Sequence, residues 1–145
     1  MPAQVITGCT VLAVSIGGLP AHCPPSGHVE AEGTFYRFSA SSLAVGDRVP
    51  VGQWGLPVNN RMSEAFEQWN DCDGYAHSVF ASLEPLVSAR KVLHWAKKRS
   101  ICKLELVPGM GRVHESPSDV GPEHYDWYPD PLDRVPTAVV VEARP

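Results

Sequence analysis

Three short stretches of the chain carry side chains whose types and spacing can do chemistry. Arg37 stands among aromatics in Thr34 to Ser39 (TFYRFS), with Ser39, Ser41 and Ser42 close behind. A guanidinium is a rigid fork of donors matched to phosphate or carboxylate, and neighbouring hydroxyls can complete a phosphate site. An arginine in such a strand also serves as an exposed residue paired with an acid, and serines also simply make turns. The second stretch is Ala81-Ser82-Leu83, where a strand is expected to give way to a helix whose first turn presents unpaired N–H groups. Ser82 can act there as a helix cap with no further role. The third is Arg112-Val113-His114-Glu115-Ser116. A carboxylate such as Glu115 can orient a ribose hydroxyl or stabilise positive charge developing on carbon, and His114 could instead be the proton-transferring group, as imidazoles commonly are. Both residues also read as ordinary loop residues.

Charge adds a fourth feature. Arg90, Lys91, Lys97, Lys98, Arg99 and Lys103 are half of the 12 basic residues, and no acid lies between Glu84 and Glu105. Residues 119–133 have the opposite sign. A solvated basic helix face, partly neutralised by the acidic stretch, accounts for this pattern. So does a footprint for RNA, DNA or an acidic protein, although no aromatics recur at a stacking period.

The elements that must position these groups belong to one domain of 145 residues. With 43% hydrophobic and 19% charged residues, the chain can bury a core. Its 12 glycines and 14 prolines argue against an all-helical bundle. A formal net charge of -4 excludes a global field drawing the protein onto nucleic acid or anionic membrane. Cysteines at 9, 23, 72 and 102 show no CxxC spacing, so reduced thiols and a cytoplasmic location are expected. Zinc would require Cys9, His22, Cys23 and His28 to converge without any knuckle spacing.

The apolar run Val5 to Leu19 is shorter than the roughly 20 residues that cross a bilayer, so no membrane partner is expected. The first basic residue is Arg37, which argues against a secretory leader and against lipoprotein processing at Cys23. Residues 1–32 read as an apolar strand and a linker, and the domain proper as 33–145. Strands are expected over Thr34 to Ser39, His77 to Ala81, Ile101 to Val107 and Thr137 to Ala143. Leu43 to Val51 and Pro108 to Gly111 read as turns. A short helix is expected over Met62 to Trp69, and a longer one, capped by Ser82 with Pro85 in its first turn, running to about Lys98. Residues 116–136 read as a long loop. The order gives an α+β fold.

Phe35 to Ser39 (FYRFS) resembles the first motif strand of arginine-type ADP-ribosyltransferases. Leu43-Ala44-Val45-Gly46-Asp47, the strand and helix from His77, and Ile101 to Glu115 are similar to segments of small rifampin ADP-ribosyltransferases and related bacterial domains. The chain departs from those enzymes in having Arg37 where they carry histidine, and Val79 or Phe80 in place of a tyrosine. The resemblance implies a split β-sheet core holding NAD between two short sheets, and transfer of ADP-ribose to a protein, nucleic-acid or small-molecule acceptor. It implies that Arg37, with Ser39 beside it, clamps the phosphates, Ser82 supports the nicotinamide ribose, and Tyr36, Phe80 or Tyr75 stacks on the nicotinamide. Glu115 would be the catalytic acid and His114 a base. A non-catalytic interaction domain on the same scaffold, or a nucleic-acid binder or modifier using the basic helix 90–103, is the alternative.

Overall fold

The structure is a computed structural model that describes residues 23–54, 72–116, 121, 123–131 and 133–143. Seven strands follow in chain order: β1 (Val29–Glu30), β2 (Gly33–Ser39), β3 (His77–Phe80), β4 (Ser100–Leu106), β5 (Gly111–Glu115), β6 (His124–Pro129) and β7 (Ala138–Glu142). One α-helix among the described residues, α1 (Glu84–Val92), lies between β3 and β4. The strands make one sheet in the order β1-β5-β6-β3-β2-β4-β7, antiparallel at every pairing. The fold is α+β, as the element order implies.

Period-two alternation explains the two faces. Phe35 on β2 faces Leu104 on β4, and with Val79, Trp127, Val113 and Val140 they build the main core, closed over by Val49 and Trp54. The next residues along, Tyr36, Phe38, Ile101 and Phe80, point the other way and pack against Leu86 of α1. Full burial of Leu86 contributes about 2 kcal/mol. The turn before Trp54 is fixed locally: the Asp47 carboxylate accepts from the Ala44 N–H at 2.8 Å, and Gly46 takes the positive φ of 94°. At Gly111, φ is 114° and an added Cβ would lie 2.0 Å from the Tyr128 carbonyl oxygen, so only glycine lets β5 lie this close to β6.

Pairing is uneven across the sheet. β2 pairs with β4 along its whole length, from Gly33↔Leu106 to Ser39↔Ser100. With β3 it shares a single register pair, Tyr36↔Phe80. Two half-sheets, β1-β5-β6-β3 and β2-β4-β7, therefore meet at one point and part beyond it.

The structure differs from the sequence expectations in several places. The stretch expected as loop contains β6, whose Trp127 and Tyr128 are both fully buried, because this strand is covered on both faces. The sheet also takes in Val29–Glu30, and Ala31 is in the core, upstream of the boundary expected at 33. Ser82 does not cap α1. The chain bends through 81–83, Leu83 is the N-cap without a side-chain bond, and Pro85 sits in the first turn as expected. α1 ends at Val92 rather than near Lys98, because Leu93 turns extended before a 3₁₀ turn at His94–Ala96.

Cys23 and Cys72 are not reduced thiols but a disulfide, and the cysteine argument for a cytoplasmic location falls with it. Cys102 is free and buried. Cys9, His22 and the helix expected over Met62 to Trp69 lie outside the described residues. Among the described residues no group of three metal-ligating side chains converges, and no helix is long and apolar enough to cross a membrane.

Candidate functional site

The parting of β2 from β3 makes the site. Beyond Tyr36↔Phe80 the strands would continue to pair Arg37–Ser39 with His77–Val79, but the two half-sheets separate there. A cavity of about 320 Å³ opens between them, lined by Phe38, Ser78, Phe80, Trp95 and His124 together with Arg37 and Arg99. A second, of about 390 Å³, is lined by Ser39, Ala40, Gly52 and Gln53 with Arg37, Phe38 and Arg99 again. The cavities therefore adjoin at two arginines, and among the described residues no carboxylate lines either one.

Arg37 is held from behind. Its guanidinium carbon lies 4.3 Å from the centroid of the Trp54 ring. Its Nη1 lies 3.4 Å from Nδ1 of His77. Burial, and then the Arg37 charge, lower the His77 pKa from 6.5 to about 3, so the ring is neutral. Nδ1 then accepts from Arg37 and the ring proton sits on Nε2. His77 packs edge-on to Trp54 and obliquely on Trp127, each at 5.3 Å. Burial also lowers the Arg37 pKa, with Arg99 adding to the effect. The group nonetheless stays charged, as guanidinium does in proteins. The ion pairs among the described residues are Arg90–Glu142 and Arg112–Glu30, with His124–Asp126 a third only when the ring is protonated, so Arg37 has no carboxylate among those residues within bridging distance. On β4, Cys102 faces Arg37, and burial pushes its thiol pKa up.

His124 forms the opposite wall. Its Nδ1 donates to the Ser116 carbonyl oxygen, which assigns a proton to Nδ1. Nε2 lies 4.0 Å from Oδ1 of Asp126. Asp126 pairs in register with Ser78, which lines the cavity, and is 8% exposed. It is an acid beside two lining residues, Ser78 and His124.

Of the residues singled out in the sequence, Arg37, Ser39 and Phe80 line the cavities. Tyr36 is half-buried beside Phe80 in the cluster under α1. Ser82 lies in the bend before α1 and lines neither cavity. Glu115 is exposed and pairs with Tyr125, which pairs with Val79. By alternation Glu115 faces away from Phe80 and His124. Its strand is three interstrand spacings, or roughly 14 Å, from β2. His114 faces Asp126 but lies two strands from Ser78, outside the lining. Tyr75 packs instead with the disulfide, Ala76 and Tyr128.

The sequence reading missed His124, Asp126, Ser78 and Trp95 as site residues. Their usable signal was local: His124 and Asp126 stand two apart before Trp127, which is the spacing of one strand face. No family model, no curated protein and no solved structure matches the chain.

Proposed function

We propose that the protein is an ADP-ribosyltransferase-like domain that binds NAD where β2 and β3 part. The observation that carries this reading is Arg37, a guanidinium without a carboxylate partner among the described residues, aromatic-backed and opening onto two adjoining cavities. A dinucleotide is two nucleosides joined by a diphosphate. Two cavities meeting at Arg37 and Arg99 offer that shape, and their sizes lie in the roughly 300–1,000 Å³ range of small-molecule sites. On this reading the diphosphate lies between the arginines and Phe80 walls the nicotinamide side. The single register pair joining the two halves of the one sheet supports this reading, because the family resemblance implies a split core.

The acid role moves from Glu115 to Asp126, because Asp126 adjoins the lining and Glu115 faces away from it. As the bond from the ribose carbon to the nicotinamide nitrogen breaks, its electron pair leaves with nicotinamide. The Asp126 charge favours the cationic sugar left behind. An acceptor nucleophile then bonds to that carbon and yields its proton to Nε2 of His124.

The test is calorimetric titration with NAD and with ADP-ribose, together with chromatography of released nicotinamide. Wild-type protein is expected to bind both ligands, and Arg37→Ala to lose at least tenfold in affinity. Binding without nicotinamide release makes the protein a nucleotide-binding module. If neither ligand binds, the reading fails.

A further inference from the structure

The 3₁₀ turn after α1 presents an exposed aromatic among cations at the mouth of the cavity. Trp95 is 55% exposed, although its ring packs edge-to-face on Phe38 at 5.2 Å. Lys97, Lys98 and Arg99 follow, all exposed, and none forms an ion pair among the described residues. The acidic stretch expected to neutralise them makes no bridge to them there. Arg99 lines both cavities and Trp95 lines the first, so the patch is continuous with the site.

The turn is also anchored. Ala96 is fully buried, and Arg90 Nη1 donates to the Arg99 carbonyl at 3.0 Å and to the Ala143 carbonyl at 2.8 Å. Arg90 in turn pairs with Glu142. The backbone under the patch is therefore fixed before any partner arrives, which lowers the ordering cost of binding.

We infer that Trp95, Lys97, Lys98 and Arg99 form a docking surface for single-stranded nucleic acid, with a base stacking on Trp95 and the phosphates tracking along the three cations into the cavity mouth. An acidic protein would satisfy the cations, but it gives no reason for an exposed indole packed on Phe38 beside them. A single strand uses both features, since every base has a face to stack and every nucleotide a charge to neutralise. The docking rests on this surface alone, and only its further role, delivering the acceptor to bound NAD, rests on the reading above.

Fluorescence anisotropy with a labelled single-stranded oligonucleotide of about 15 nucleotides tests the inference. Binding is expected to weaken with salt at a log–log slope of about -2, from three cations at about 0.7 each. Trp95→Ala should weaken it about tenfold and Trp95→Phe should restore most of the loss. Lys97→Glu with Lys98→Glu should abolish measurable binding at physiological salt while leaving NAD affinity unchanged. Arg37→Ala should retain the oligonucleotide, so loss of NAD binding and loss of strand binding are read separately. No oligonucleotide binding at low salt overturns the inference. So does binding indifferent to Trp95→Ala, which marks plain polyanion adhesion, or tighter binding of an acidic peptide of equal charge.

Discussion

The Arg37 guanidinium carbon stands 4.3 Å from the centroid of the Trp54 ring, and no carboxylate bridges it among the described residues. The ring takes the place that an acid would fill in a structural ion pair. It orients the cation without neutralising it, so the charge remains available to a ligand. Trp54→Leu is expected to weaken NAD binding about tenfold by freeing Arg37, and to lower unfolding free energy by about 3 kcal/mol through the lost core volume. Titration calorimetry and a urea melt read the two effects separately. An unchanged affinity would show that the stack does not position Arg37.

Asp126 and Glu115 make opposite predictions about turnover. Asp126 is buried beside Ser78 and His124, whereas Glu115 is exposed on the other face of the sheet. Asp126→Asn keeps the shape and removes the charge, and should slow nicotinamide release about a hundredfold or more. Glu115→Gln should change it less than about threefold, as an exposed substitution outside the cavity does. Release rates measured at saturating NAD decide between them. A large loss in the Glu115 variant alone would restore the acid role to the position that the sequence first suggested.

How much of this was legible depended on whether the signal was local. β2 and β4 were readable because polar residues interrupt their apolar ones, and β7 because three β-branched valines run together. The turn at Leu43 to Asp47 was readable because Gly46 and Asp47 carry its chemistry themselves. β6 was not: in His124-Tyr125-Asp126-Trp127-Tyr128-Pro129 both faces are buried, one of them by His124 and Asp126, so no hydrophobic alternation survives. At the site, Arg37 announced itself as a lone cation in an aromatic strand. Trp95 and Arg99 did not, because they meet Arg37 only where two half-sheets diverge, and divergence leaves no mark in a single segment. The Cys23–Cys72 bond is likewise a product of tertiary closure.

That bond closes a loop of 49 residues. Loop-closure entropy for this span corresponds to about 4 kcal/mol, and the pair lies in a cluster with Ala76, Tyr75 and Tyr128. Replacing both cysteines by alanine should lower unfolding free energy by roughly that amount in chemical denaturation. The wild-type protein in reductant should show a similar drop. Peptide mapping without reductant should recover the segments holding Cys23 and Cys72 as one linked species. Equal stability with and without reductant would remove the disulfide from the account of the fold.

His77 sets the acid limit of the structure. It is 3% exposed, and burial followed by the Arg37 charge lowers its pKa from 6.5 to about 3. Between those values the unfolded chain binds a proton that the folded chain refuses, so stability falls as pH falls. The His77 contribution is complete above pH 6.5 and is lost progressively toward pH 3, at about 1.4 kcal/mol per pH unit. Going from neutrality to about two units below 6.5 should therefore cost the wild-type protein about 2 to 3 kcal/mol from this residue. His77→Phe keeps a ring against Trp54 and Trp127 but has no proton to bind, so its urea midpoint should fall less over the same range. Since Nδ1 is also the acceptor for Arg37, the same variant should weaken NAD binding at neutral pH, where His77 carries no charge. Parallel pH profiles for the two proteins would mean that His77 does not resist protonation in the folded state.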